Sequence, residues 1–216
     1  MLDHVTAGSL LDRVARLPYE APGDPTGVPA AVLLALSPVD RADDLGLVLV
    51  QRPDHMRTHA GQVGLPGGAV ELGDSDGAAA ALREAEEEVG LDRRAVRVLG
   101  SLGRAYLWVS NFDVEPVVGI WDGQAALRPN PAEVAGILRP TLRQLADPAN
   151  HDLISLTRLL PPGSARARQV PAGATSPVFN VDGVVVWGFT AGLLSGFLRL
   201  LGLAAPPLPS GWGGRG

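Results

Sequence analysis

The chain has 216 residues, a formal net charge of -5, 46% hydrophobic residues and no cysteine. That length and apolar content support one sizeable domain with attached segments, and 27 glycines with 19 prolines imply many turns. The acidic balance argues against a broad nucleic-acid or membrane surface, and the lack of thiols excludes disulfides and thiol catalysis.

In chain order, Ser9 to Leu17 predicts a short helix and Pro18 to Pro29 a Pro/Gly linker, so residues 1–27 are expected to precede the main domain. Ala30 to Leu36 and Leu45 to Gln51 are apolar runs of strand length around the polar turn 40–44. Gly61 to Leu65 leads into a glycine loop. Ala78 to Val89 is the clearest helix, with Leu82, Ala85 and Val89 as its apolar face and Gly90 as its stop.

Val96 to Leu102 and Val114 to Trp121 predict strands, and Glu133 to Leu138 a further one before a helical turn at Leu142 to Leu145. Leu153 to Leu159 predicts a late strand. Val178 to Trp187 predicts a hairpin turning at Asp182-Gly183, and Thr190 to Leu201 the last helix, with Thr190 as N-cap. From Ala204 onward the Pro/Gly/Ser-rich tail is expected to be disordered, leaving a domain over 28–203 and a tail over 204–216. The class expected is α+β, a mixed sheet between helices. Asp3, Asp12 and Arg13 interrupt any signal-peptide pattern. Phe189 to Leu203 is shorter than the ~20 residues of a membrane span, so a cytoplasmic protein is expected.

Glu84, Glu87 and Glu88 recur at helical spacing and project from adjoining positions of one helix. Such a cluster repels itself unless a hard divalent cation, Mg²⁺ or Mn²⁺, takes its oxygens as ligands. The alternative is a solvated acidic face with pairs such as Arg83 with Glu87. Just upstream, Gly67 and Gly68 allow close backbone approach. Glycine loop, glutamate helix and cation together point to phosphate chemistry.

The stretch from Gly68 to Leu91 resembles the Nudix box: Arg83, Glu84, Ala85, Glu87, Glu88, Gly90 and Leu91 all fit. Asp74 stands where the box has a lone Glu, and one extra residue separates it from Arg83, in the loop 73–77. The resemblance implies the Nudix fold, of α/β/α type, and a pyrophosphohydrolase. It implies Glu84, Glu87 and Glu88 as metal ligands, the Gly67 carbonyl as a further donor, and Arg83 as the residue orienting a glutamate. Such enzymes usually need a base or ligand outside the box. Glu133, in Asn130-Pro-Ala-Glu-Val134, is the candidate, with His59 as rival.

Leu49-Val-Gln-Arg52, Arg57, His59, Gly61-Gln62 and Leu65-Pro-Gly-Gly68 resemble the signature of the coenzyme A pyrophosphatase branch of that family, with Leu65 in place of the usual Phe. Coenzyme A carries a 3′-phosphate besides its pyrophosphate, and Arg52, Arg57 and His59 offer cationic donors for such groups. By the same resemblance Ser110, Asn111 and Phe112 are expected near the substrate, where Trp108 and Phe112 could stack on adenine. The expected reaction yields 4′-phosphopantetheine and adenosine 3′,5′-bisphosphate. A nucleoside diphosphate-X substrate such as ADP-ribose or NADH is the alternative, and a catalytically silent nucleotide-binding module the remote one. The expected partner is a small-molecule nucleotide, with no nucleic acid or membrane; a homodimer is one open arrangement.

Overall fold

The computed structural model describes residues 7–17, 26–39, 44–55, 60–107, 110–159 and 173–208. The chain divides into two compact units, Met1–Leu142 and Arg143–Gly216. The division falls inside the domain expected over 28–203.

The first unit is built on β1 (Val28–Val39), whose apolar run is buried along most of its length. β1 pairs in parallel with β8 (Phe112–Ile120), in register from Val28↔Phe112 to Leu36↔Ile120. Near its start the other edge of β1 carries β5 (Gly67–Ala69), and near its end β2 (Asp44–Leu47), both antiparallel. On the far edge of β8 lie β6 (Arg97–Ser101) and β7 (Ala105–Leu107). A second sheet is ordered β4 (Val63–Gly64), β3 (Leu49–Gln51), β9 (Gly136–Leu138). The run 45–51, expected as one strand, breaks at Val48: β2 belongs to the first sheet and β3 to the second. Every residue from Leu45 to Val50 is buried, so no apolar–polar alternation marks the crossing.

Helix α1 (Ala7–Ala15) packs on β2 and buries Leu10 and Val14. It falls within the first compact unit. Helix α2 (Gly77–Val89) lies on β1, β5 and β8. Its buried face is Ala80, Ala81, Ala85 and Val89, with Leu82 only partly buried at the margin. Three alanines let the helix axis come close to the sheet, which brings its glutamates near the β1–β5 ladder. Asp76 caps the N-terminus by accepting from the Ala79 N–H at 2.8 Å. Gly90 closes the C-terminus at φ 67°, its N–H reaching the Ala85 and Glu86 carbonyls. Asp76→Ala is expected to cost about 1 kcal/mol in chemical denaturation, with its effect confined to stability.

A buried charged network sits where α2 begins. Glu115 accepts from Ser101 Oγ at 2.5 Å and Arg104 at 2.9 Å. Asp113 accepts from the Thr26 N–H at 2.6 Å and hydroxyl at 3.0 Å, with Arg104 3.4 Å away. A Cβ added at Gly77 would come within 2.7 Å of the Glu115 Cδ, so glycine is needed at the first helical position.

The second unit holds an antiparallel sheet ordered β10 (His151–Ser155), β11 (Thr175–Val181), β12 (Val184–Trp187). Asp182 and Gly183 take φ 51° and 84°, the twin positive angles of the tight hairpin expected there. The strand expected over 153–159 ends at Ser155, and α4 (Leu156–Leu159) follows; α3 (Leu142–Ala146) straddles the boundary between units. The last helix, α5 (Gly188–Leu200), packs on β11 and β12. Thr190 is not its N-cap: Trp187 occupies that position without a side-chain bond, and Thr190 is buried inside the helix. The turn at Gly188, φ 68°, starts the helix two residues before Thr190.

The tail expected to be loose from Ala204 is anchored at first. Arg199 donates to the Pro206 carbonyl at 2.7 Å, and Pro206 is buried. Residues 209–216 lie outside the described residues. No described helix is long and apolar enough to cross a membrane.

Candidate functional site

The glycine pair is fixed to the central strand. The Leu33 N–H donates to the Pro66 carbonyl at 2.8 Å, and Gly67 and Gly68 pair with Val32 and Ala31. An added Cβ at Gly67, where φ is 157°, would lie 2.7 Å from the Val32 Cα. At Gly68 it would lie 2.6 Å from the Glu84 Cδ. The two glycines thus serve different neighbours: Gly67 a strand backbone, Gly68 a carboxylate of α2. Gly67→Ala is therefore expected to cost about 2–3 kcal/mol in denaturation, because backbone cannot yield. Gly68→Ala is expected to cost under about 1 kcal/mol, because only a flexible side-chain end must move. Displacing Glu84 should still lower turnover about tenfold or more. Paired melts and turnover assays separate the two effects.

Glu88 is 4% exposed, and its Oε2 accepts from the Gly67 N–H at 3.1 Å. Burial pushes its pKa up to about 7; the Gly67 N–H and the Arg52 charge oppose that shift, while Glu84 and Glu133 add to it. Glu84 is raised as well, chiefly by burial, against the Arg83 bond and charge and with help from Glu87 and Glu133. Glu133 itself is exposed. Its loop is bolted to the site: Asn130 N–H donates to the Glu88 carbonyl at 2.9 Å and Ala135 N–H to that of Gln51 at 2.8 Å. The sequence-predicted Glu84, Glu88 and Glu133 are thus brought into one neighbourhood.

Arg83 is the hub. It bonds Asp74 through Nε and NH2, each at 3.1 Å, Glu84 at 2.9 Å, Glu87 at 3.1 Å and the Ala69 carbonyl at 3.1 Å. Asp74, whose place in the box was open, is the buried partner of this arginine and also accepts from the Glu71 N–H at 2.9 Å. The Arg83 bonds hold its carboxyl below the usual range, against burial. The Asp74 N–H in turn donates to the Glu71 carbonyl at 3.0 Å. Glu87 is half exposed and leans toward Arg83.

Among the described residues, no three Asp, Glu or His side chains converge closely enough to hold one cation as they stand. The reason is visible: Arg83 draws Glu84 and Glu87, and the Gly67 N–H holds Glu88. The Gly67 N–H is tied to this cluster through its bond to Glu88. Even so, the donor set suits a hard cation, being all carboxylate oxygen with two groups driven toward protonation by burial.

Of the expected substrate contacts, Arg52 follows β3, and its N–H bonds the Gln62 carbonyl at 2.9 Å, closing the intervening loop. Arg57, His59 and Trp108 lie outside the described residues. Ser110, Asn111 and Phe112 form the turn into β8. Asn111, at φ 57°, accepts from the Tyr106 hydroxyl at 2.8 Å, and its carbonyl accepts from the Val28 N–H. Phe112 faces Val28 in register whereas Gly67 faces Val32, so this turn stands about 13 Å along β1 from Gly67.

Residues 28–160 match the NUDIX domain family. A protein of Escherichia coli (strain K12), called an uncharacterized Nudix hydrolase NudL, is 37% identical over 165 residues, covering 76% of this chain and 78% of that one. Its namesake in Salmonella paratyphi B is 46% identical over 115 residues, 53% of this chain and 58% of that one. Among solved structures, a MutT/nudix family protein from Enterococcus faecalis covers 85% of this chain and 65% of its own, at TM-score 0.48 and 17% identity. Membership rests on the family match and the Escherichia coli relative. The chain belongs to the Nudix family, hydrolases that cleave the pyrophosphate bonds of nucleoside diphosphate derivatives.

Proposed function

We propose that this enzyme hydrolyses the pyrophosphate of coenzyme A or an acyl derivative, with Mg²⁺ or Mn²⁺ held by Glu84, Glu87, Glu88 and the backbone of Gly67. The observation that carries the metal reading is the seating of two carboxylates, the buried Glu88 and the partly buried Glu84, against the glycine pair. When bound, the ion neutralises the pyrophosphate and lowers the pKa of a water.

The protein's own groups do the rest. The Gly67 N–H fixes one oxygen of Glu88, and Arg83, anchored by Asp74, sets the placement of Glu84 and Glu87. Glu133, exposed beside them, is free to take the proton of the attacking water. What supports coenzyme A is the signature 49–68, within which the Arg52 N–H bonds the Gln62 carbonyl. In that reading Arg57 and His59 meet the substrate phosphates, and Ser110, Asn111 and Phe112 form a more distant wall for the nucleotide. The substrate is a free cytoplasmic nucleotide.

The test compares kcat/KM for coenzyme A, dephospho-coenzyme A, ADP-ribose and NADH. Coenzyme A is expected to exceed the others by about tenfold or more, the worth of one charge-assisted contact. Equal cleavage of dephospho-coenzyme A would show that the 3′-phosphate is not read. Preference for ADP-ribose or NADH would replace the substrate and keep the chemistry. Inactivity on all four with either metal would favour a silent module.

A further inference from the structure

Arg52 differs from the other arginine of the site. Arg83 is saturated by carboxylates and a carbonyl, whereas Arg52 is half-buried and its Nε is sealed from solvent with no hydrogen-bond partner among the described residues. Its backbone is fixed on both sides. Its own N–H bonds Gln62, and the preceding Gln51 carbonyl accepts from Ala135, two residues beyond Glu133. The loop carrying Glu133 is in turn bonded to the Glu88 carbonyl through Asn130. These bonds hold Arg52 and the Glu133 loop to the end of α2 that carries Glu88, and the Arg52 charge opposes the upward shift of Glu88 to which Glu84 and Glu133 contribute.

A purely structural arginine would be tied to a carboxylate, as Arg83 is. A reader of a remote substrate group would extend into solvent. Arg52 does neither. We propose that Arg52 is a positioning residue, a standing counter-charge to the Glu84–Glu88–Glu133 cluster that sets how strongly the cluster draws a divalent cation, rather than a reader of the substrate's 3′-phosphate. This rests on the reading that the cluster receives that cation.

The test is Mn²⁺ binding to the metal-free full-length protein, followed by electron paramagnetic resonance, for wild type, Arg52→Gln and Arg52→Lys. Removing one positive charge beside the cluster should tighten Mn²⁺ binding at least about threefold in Arg52→Gln, while Arg52→Lys stays within about twofold of wild type. In turnover, Arg52→Gln should lose kcat by the same factor on coenzyme A and dephospho-coenzyme A. Arg52→Met, which keeps an apolar stem, carries the same test if the glutamine variant fails to fold. Equal Mn²⁺ affinity in all the variants, with a selective loss of coenzyme A over its dephospho form, overturns the proposal and returns Arg52 to the 3′-phosphate. Failure of the wild type itself to bind Mn²⁺ overturns the metal reading, and this one with it.

Discussion

Glu88→Gln is expected to lower turnover by about a hundredfold or more while making the metal-free protein more stable above neutral pH. Glu88 is almost wholly buried, and burial pushes its pKa to about 7 from an ordinary 4.5. A carboxylate whose folded pKa is raised favours the fold fully only below its unfolded pKa. That contribution is lost as pH climbs from about 4.5 through about 7. A shift of this size corresponds to roughly 3 kcal/mol at pH 8, of which only the metal-free state bears the cost. Glutamine carries no charge, yet its carbonyl can still accept from the Gly67 N–H. Melting of the metal-free proteins should therefore place the variant about 5 °C or more above wild type at pH 8, with the gap closing near pH 5. Mg²⁺ should raise the wild-type Tm more than that of the variant. Near-normal turnover in Glu88→Gln would remove this residue from the ligand set.

Arg83→Ala should lose both activity and stability. The substitution strips Asp74 of its bidentate cation while that carboxylate stays 5% exposed, and it leaves Glu84 beside Glu87 with no guanidinium between them. Breaking a buried pair costs about 3–5 kcal/mol, and the partial exposure of Arg83 brings the expectation to about 2–3 kcal/mol. The pH dependence has the opposite sign to that of Glu88. Asp74 has a lowered pKa, so its stabilising effect is present above its ordinary value of 3.8 and is lost as pH falls through the depressed one. The gap between wild type and Arg83→Ala should accordingly narrow in acid. Turnover should fall about a hundredfold, because Glu84 and Glu87 lose the group that sets their placement. Arg83→Lys, with a single point charge in place of a planar fork, should recover part of the stability and less of the activity. Unchanged turnover in Arg83→Ala would make the arginine a scaffold residue only.

The parts of this fold that were legible in the sequence are those with a local signal. The α2 helix declared itself through its glutamate spacing and Gly90, and the late hairpin through Asp182-Gly183, because positive φ selects those residues. The crossing at Val48 was not legible, since a strand buried on all sides looks the same in either sheet. Strand β7 was missed because three residues carry no measurable alternation.

In the proposed site, spacing is what singles out Glu84 and Glu88 as candidates, and its place before an apolar run what singles out Glu133. The clamp of Asp74 on Arg83 was not readable, because the reach of a guanidinium across an inserted loop residue is set in space. Asp76 as N-cap was available from the sequence: an aspartate stands directly before the helical run. The burial that separates Glu88 from the exposed Glu133 comes only from packing against the β1–β5 ladder.

The most direct test of the account is hydrolysis of coenzyme A in Mg²⁺, with products identified by mass spectrometry, for wild type beside Glu84→Gln and Glu88→Gln. The account predicts metal-dependent release of 4′-phosphopantetheine and adenosine 3′,5′-bisphosphate by wild type, with both variants slower by about a hundredfold. Metal-independent cleavage, or wild-type rates in both variants, would contradict it.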